Sequence, residues 1–271
     1  MPELPEVETT RRGVEPHLRR RRVEQVTVRD GRLRWPVPAD LPAVLRGQRI
    51  ESVSRRAKYL LFRLEHGTLI VHLGMSGSLR LASGNEPPRP HDHVEIAVDG
   101  GRVLRFHDPR RFGSMHYTTD PPERHWLMEN LGVEPLSPAL TGDLLKQASL
   151  KRRAPVKSLI MDARVVVGVG NIYASESLFL AGIHPARPAG RVALARYQRL
   201  AGCIARVLAD AIHQGGTTLR DFVNGVGEPG YFAQSLRVYG RAGEACRECG
   251  RTVRSRVIAQ RNTFFCVNCQ R

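Results

Sequence analysis

Cys246-Arg247-Glu248-Cys249 and Cys266-Val267-Asn268-Cys269 stand sixteen residues apart, and their reading decides how the C-terminal part of the chain folds. A Cys-x-x-Cys turn can place two thiolates on one tetrahedral ion, and two such turns at this separation have the spacing of a four-thiolate zinc site. The runs between them, Thr252–Ile258 and Thr263–Phe265, are expected to form a β-hairpin hung from the metal. Its turn, Ala259-Gln260-Arg261-Asn262, would carry Arg261 away from the ion. Disulfides and redox chemistry are the other uses of paired cysteines, and the doubled spacing together with a cytosolic setting argues against both. Four protein ligands leave no open position, so one structural Zn2+ is expected. Cys203, the fifth cysteine, falls on a helical stripe and is read as a small buried side chain.

Toward the N-terminus, Leu194, Tyr197, Leu200, Ala201, Ile204, Val207, Leu208, Ala211 and Ile212 follow an i, i+3, i+4 stripe, the pattern of a core-facing helix. Pro155–Ala163 and Asn171–Ala181 read as two further helices joined by Val167-Gly168-Val169-Gly170, with Asn171 capping the second and Gly182 closing it. Together they form a unit like a helix-turn-helix. Pro121–Pro138 is proline-rich and marks a boundary. Before it the pattern changes to short β-rich runs: Val23–Val28, Gln48–Val53, Tyr59–Leu64, Thr68–Leu73, Ser78–Leu81, Val94–Val98 and Val103–Phe106. Such runs without intervening helices suggest a β-sandwich or barrel. A short helix over Glu6 to about Leu18, with Pro5 where a first turn accepts proline, precedes them. The expected class is α+β.

A chain of 271 residues has room for two domains at roughly 150 residues each. Lysine and arginine total 42 against 26 acidic residues, a net charge of +16 that points to a nucleic acid ahead of an anionic membrane surface. A hydrophobic share of 41% is that of a folded protein, not a basic disordered tail. No apolar run reaches membrane-spanning length, and Met1-Pro2-Glu3-Leu4-Pro5-Glu6 is acidic where a signal peptide is basic, so a cytoplasmic protein without membrane attachment is expected. Only four of the basic residues are lysine: Lys58, Lys146, Lys151 and Lys157. A lysine kept among arginines, as in Arg55-Arg56-Ala57-Lys58, suggests a use for a titratable amine.

Other stretches carry candidate chemistry beside plainer readings. Gly168-Val169-Gly170-Asn171 can offer backbone N–H groups to a phosphate, or simply turn the chain between helices. Asp108-Pro109-Arg110-Arg111-Phe112-Gly113 and His72-Leu73-Gly74-Met75-Ser76-Gly77 hold apolar side chains in turns, able to wedge into a base stack or to pack in a core. His72, inside an apolar run, reads equally well as a satisfied core histidine. Methionine ahead of proline is commonly removed, which would free the secondary amine of Pro2. Such an amine can attack the C1′ of a sugar and form an iminium that permits strand-breaking elimination, with Glu3 beside it to shuttle protons.

Collected in order, these stretches resemble the formamidopyrimidine-DNA glycosylases, bacterial base-excision repair enzymes. The resemblance spans essentially the whole chain. It rests on Pro2-Glu3-Leu4-Pro5-Glu6-Val7-Glu8-Thr9, Arg56-Ala57-Lys58-Tyr59-Leu60, the His72–Gly77 and Asp108–Gly113 stretches, and His91-Asp92-His93. Val167–Glu176, Gly215-Gly216-Thr217-Thr218-Leu219, Gly230-Tyr231-Phe232 and the cysteine finger complete it. It implies an N-terminal helix and β-sandwich catalytic domain over residues 1–133, a helix-two-turns-helix DNA-binding domain over 134–235, and a zinc finger over 236–271, with damaged double-stranded DNA between the two main domains. It further implies excision of 8-oxoguanine and formamidopyrimidines followed by β- and δ-elimination. By the same resemblance Pro2 is the Schiff-base nucleophile, Glu3 the acid assisting sugar opening, Lys58 the proton donor in β-elimination and Arg261 the residue acting in δ-elimination. Arginine is too basic to give up a proton readily, so Arg261 is expected mainly to grip the phosphate. Met75, Arg110 and Phe112 match the wedge that fills the space of the flipped nucleotide, with Arg110 facing the orphaned cytosine. His91, Lys151 and Asn171 match DNA-contacting positions, His72 is grouped with them, and Thr217 to Tyr231, with Gly225, Gly227 and Gly230, matches a loop closing over the extruded base. Glu6 matches a position near the nucleophile without an assigned role. The expected protein is a monomer of the bacterial cytosol and nucleoid.

Two other readings compete. The endonuclease-eight branch of the same fold prefers oxidised pyrimidines, but it generally starts Pro-Glu-Gly-Pro-Glu, and this chain has Leu4. A non-catalytic zinc-finger protein would share the charge but not the covalent chemistry. Covalent chemistry separates the enzyme from the binding protein, since only an enzyme would be trapped on DNA by borohydride. Within the enzyme reading, Lys58→Arg keeps the charge, so DNA affinity should hold while base excision or strand cleavage slows, and unchanged single-turnover kinetics would remove Lys58 from the mechanism.

Overall fold

The computed structural model describes residues 2–216 and 235–271. The stretch from Thr217 to Tyr231, read as a closing loop, lies outside the described residues. Two compact units are present: one holds the residues up to Glu129 together with 214–216, the other Asn130–His213 with 235–271.

The first unit opens with α1 (Leu4–Leu18), whose start is set by a capping box. The Glu3 N–H donates to the Glu6 carboxylate at 2.8 Å, and the Glu6 N–H donates back to the Glu3 carboxylate. Pro5 stands in the first turn, where no N–H is required. There follow β1 (Val23–Val28), α2 (Leu41–Leu45), β2 (Ile50–Arg56), β3 (Tyr59–Leu64), β4 (Thr68–His72), β5 (Ser78–Ser83), β6 (Asp92–Val98), β7 (Arg102–His107) and β8 (Ser114–Thr118). The strands make two four-stranded sheets, ordered β1-β6-β7-β5 and β2-β3-β4-β8. Every pairing is antiparallel, so each strand can give alternate side chains to one face. Val94, Ile96, Leu104 and Phe106 of the first sheet share a core with Leu60, Phe62, Leu69 and Val71 of the second, and Val7, Val14 and Leu18 of α1 join it. The expected β-sandwich is therefore present. Two elements were not foreseen: α2, and β8, whose Ser114-Met115-His116-Tyr117-Thr118 contributes only Met115 fully to the core and shows no apolar run.

The second unit contains α3 (Gly142–Ser149), α4 (Val156–Ile160), α5 (Asn171–Leu180), α6 (Leu194–His213), β9 (Arg254–Ile258) and β10 (Arg261–Phe265). The stripe of α6 is buried from Tyr197 onward, while Leu194 is exposed at the helix start. The sequence reading also missed α3. Thr141 caps it by accepting from the Leu144 N–H, and a Cβ on Gly142 would come within 2.5 Å of the Gln198 backbone, so glycine is what lets α3 approach α6. Gly182, at φ +70°, closes α5 as expected, with the Ile183 N–H returning to the Leu178 carbonyl.

Two local expectations are corrected. Gly170, not Asn171, is the N-cap of α5; Asn171 is the first helical residue and its side chain is used elsewhere. The hairpin turn consists of Ala259 and Gln260, at φ +48° and +60°, a pair of left-handed residues that suits the twist of the flanking strands. Arg261 is consequently the first residue of β10, paired with Ile258, and not a turn residue.

Glu176 of α5 ties the helix to the segment leading into the finger. Its carboxylate accepts the N–H groups of Arg237, Val238 and Tyr239 at 2.9, 3.0 and 2.8 Å. Burial pushes this carboxyl above the ordinary range, against the opposing pull of the three N–H groups. Glu176→Gln keeps the shape but sets an NH2 donor against N–H donors, so a loss of about 2–4 kcal/mol is expected, to be read from chemical denaturation with the Tyr239 region exchanging its amides faster.

Candidate functional site

Pro2 and Glu3 are buried at the head of α1, Glu3 at 2% exposure. Glu8, one turn further along, accepts from Arg55 at 3.3 Å, and Arg55 also donates to the Ala57 carbonyl at 2.8 Å. These bonds hold the first turns of α1 beside the β2–β3 turn that carries half-buried Lys58. Gly216 comes close as well: a Cβ there would meet the Glu6 carboxylate at 3.1 Å.

From this turn the site continues into β4. Tyr59 pairs with His72 across the sheet, their rings 4.9 Å apart. Burial, helped by the positive charge of Lys58 and then of Arg34, lowers the His72 pKa to about 4. Its Nδ1 accepts the Gly74 N–H at 3.1 Å, and the side chain is half-buried, not fully in the core. Met75 and Phe112 follow in two neighbouring turns and are 40% and 39% exposed, so neither packs in the core. They line one depression with Arg34, His72, Gly74 and Arg111. The Arg110 guanidinium lies 4.8 Å from the Phe112 ring centre, a cation–π contact. Gly74, at φ +64°, leaves room for this arrangement, since a Cβ would sit 2.4 Å from the Phe112 backbone.

In the second unit, a buried amine organises the other candidates. Lys157, 1% exposed, donates to Asn171 Oδ1 at 2.5 Å and to Thr263 Oγ1 at 2.6 Å, joining α4, the start of α5 and β10. Asn171 Nδ2 in turn donates to the Asn262 carbonyl at 3.0 Å and lies 3.4 Å from the Tyr239 hydroxyl. Asn171, Tyr239 and the turn end of the hairpin carrying Arg261 are thus one hydrogen-bonded group. Lys151 is exposed in the turn after α3.

The four finger thiols all lie within 4.8 Å of one another, and Cys246–Cys269 and Cys249–Cys266 are 3.9 and 3.5 Å apart. Sulfurs on a tetrahedral zinc at 2.3 Å would be about 3.8 Å apart, so the donor set fits one structural Zn2+. When bound, the ion supplies a rigid anchor for β9 and β10. Cys203 packs half-buried against the core of the second unit.

Backbone conformation marks the same residues. Among the described residues, those other than glycine with positive φ are Arg20, Ala57, His91, Arg111, Lys151, Ala259 and Gln260. All but Arg20 are a candidate residue or stand within two positions of one. A left-handed backbone at a residue with a Cβ costs about 1–2 kcal/mol, and such strain concentrates where function requires it.

Family descriptions match three stretches: the formamidopyrimidine-DNA glycosylase N-terminal domain at residues 1–115, the helix-two-turns-helix domain of the same enzymes at 131–223, and a zinc finger found in them and in isoleucyl-tRNA synthetase at 243–271. The formamidopyrimidine-DNA glycosylase of Alkalilimnicola ehrlichii is 62% identical with both chains covered in full, and that of Methylococcus capsulatus is 59% identical with the same coverage. The chain belongs to the formamidopyrimidine-DNA glycosylase family. Among solved members, the Thermus thermophilus protein superposes with a TM-score of 0.88 at 42% identity over 99% of this chain and 98% of that one. A Lactococcus lactis member in complex with DNA containing an abasic site gives 0.93 at 32% identity over both full chains. The fold class, the family's glycosylase activity in base-excision repair and the zinc finger follow for this chain.

The sequence reading missed four residues that organise this glycosylase fold: Asp108 as a carboxylate in its own right, Lys157 as a structural amine, Glu176 and Tyr239. None lies at a spacing that signals a site; only their burial and partners do so. His72 yields a pH prediction. Its folded-state pKa of about 4 lies below its ordinary 6.5, so its contribution to stability is complete above pH 6.5 and is lost as pH falls from 6.5 to 4. At 1.36 kcal/mol per tenfold change the gap is worth ~3 kcal/mol. Urea midpoints of the parent protein should therefore drop across that window more steeply than those of His72→Gln; parallel curves would refute the assignment.

Proposed function

We propose that this chain excises oxidised purines, 8-oxoguanine and formamidopyrimidines, from damaged duplex DNA and cuts the strand at the resulting abasic site. The observation that carries the reading is the pairing of a buried Pro2-Glu3 head on α1 with the neighbouring turn that presents Lys58. With Met1 removed, the Pro2 amine attacks C1′ of the damaged nucleotide, the glycosidic bond breaks, and the base leaves with a proton. Glu3 protonates the ring oxygen as the sugar opens, leaving an iminium between Pro2 and C1′. Loss of a C2′ proton to water gives an enamine whose electron pair expels the 3′ phosphate, to which Lys58 gives a proton, and a second elimination of the same kind expels the 5′ phosphate. Arg261 grips the phosphate at the breaking bond, and the N–H-rich start of α5 with Asn171, together with His91, His72 and Lys151, contacts the DNA. Met75, Arg110 and Phe112 occupy the gap left by the extruded nucleotide, with Arg110 set against the unpaired cytosine.

Residues 1–133, 134–235 and 236–271 serve as catalytic, DNA-binding and finger modules of a monomer working in the bacterial cytoplasm. No described helix is long and apolar enough to cross a membrane. Lactococcus lactis members have been solved with DNA containing a formamidopyrimidine and with DNA containing an oxidised pyrimidine. An endonuclease-eight-like preference for oxidised pyrimidines is the alternative reading, and the Leu4 that departs from that branch's Pro-Glu-Gly-Pro-Glu start counts against it.

Borohydride added to the methionine-processed protein with abasic or 8-oxoguanine duplex should reduce the iminium and leave a protein–DNA cross-link. Peptide mapping should place it on Pro2. Absence of a cross-link, or a cross-link on a lysine, would overturn the assignment of the nucleophile.

A further inference from the structure

The wedge residues belong to separate turns, and a single hydroxyl joins them. Ser76, next to Met75, donates its Oγ–H to Asp108 Oδ1 at 2.6 Å, and the same Oγ accepts the backbone N–H of Arg110 at 3.2 Å. Asp108 is fully buried, and its second oxygen accepts the Gly113 N–H at 2.8 Å on the far side of Phe112. Its carbonyl accepts the Arg111 N–H at 3.2 Å. The two turns touch directly at Gly74, against the Phe112 backbone. The hydroxyl of Ser76 therefore has both its donor and an acceptor position committed across the joint, to two residues of the facing Asp108–Gly113 turn.

We propose that Ser76 is a positioning residue that locks the Met75 turn to the Arg110–Phe112 turn, so that filling the vacated stack and reading the unpaired base occur as one movement. This rests on the roles given above to Met75 and Arg110. The hydroxyl suits the task physically. It is short and bonded at both ends, so a shift of the Met75 turn must stretch either the bond to Asp108 or the bond to the Arg110 N–H. A buried carboxylate cannot let go of its donor cheaply, which makes the joint stiff. Alanine would leave the Gly74 contact but free Arg110 to move apart from Met75.

The test is the discrimination between 8-oxoguanine opposite cytosine and opposite adenine, measured as the ratio of kcat/KM values. In Ser76→Ala this ratio should fall by about tenfold, the order of one lost base-edge contact. Ser76→Thr, which keeps the hydroxyl, should restore it. In an Arg110→Ala background, Ser76→Ala should change the ratio no further, because residues acting through one another are not additive. With 2-aminopurine beside the unpaired base, stopped-flow fluorescence should show one phase for the parent protein and two for Ser76→Ala. A ratio that is unchanged, or an effect that adds to that of Arg110→Ala, overturns the proposal, as does a uniform loss on all substrates with a lowered melting temperature. Failure of the Pro2 reading would show separately, as absence of borohydride trapping in the parent protein.

Discussion

Asp108 has no exposed surface, and a carboxylate in that position survives only if donors surround it. Those donors are the Ser76 hydroxyl and the Gly113 N–H, while the Asp108 backbone bonds to the His91 carbonyl and meets the His93 ring. One group thus binds together the Met75 turn, the Arg110–Phe112 turn and the loop that carries His91. Because each bond compensates burial of a polar group, none can be lost without leaving another unsatisfied, and the surface the DNA is proposed to meet inherits that rigidity.

The second unit uses the same device with other groups. Lys157 is buried among Asn171 and Thr263, and Glu176 among three backbone N–H groups. The two α5 residues involved, Asn171 and Glu176, stand on successive turns of one helix, so α5 positions both the hairpin and the Tyr239 segment. The zinc thiolates then fix the far end of the hairpin. Around these rigid anchors the chain accepts left-handed backbone at His91, Lys151, Arg111 and the residues preceding Lys58 and Arg261. A strained turn persists only when its surroundings over-determine it, and the buried polar groups provide that.

Much of the fold was legible from local pattern. Periodicity placed α6 and most strands, because alternation and helical stripes are direct records of which face meets the core. The reading failed where tertiary contact overrides local signal. β8 joins the sheet by edge pairing with β4, which a polar strand can do as well as an apolar one. α3 is short and owes its place to Gly142 against Gln198. Asn171 has the composition of an N-cap, yet its side chain is drawn off by Lys157 and the Asn262 carbonyl, leaving the cap to Gly170.

By itself the sequence determined the zinc ligands, the scarcity of lysine among the basic residues and the demand of a +16 chain for a polyanionic partner. These are properties of residue type, spacing and total charge, which no fold is needed to evaluate. Tertiary structure alone decided that Met75 and Phe112 stay exposed, that His72 is neutral, and that Ser76, Asp108, Lys157 and Glu176 hold the site in shape. Exposure, desolvation and hydrogen-bond partnership depend on which distant segments meet, and that information enters only when the chain has folded.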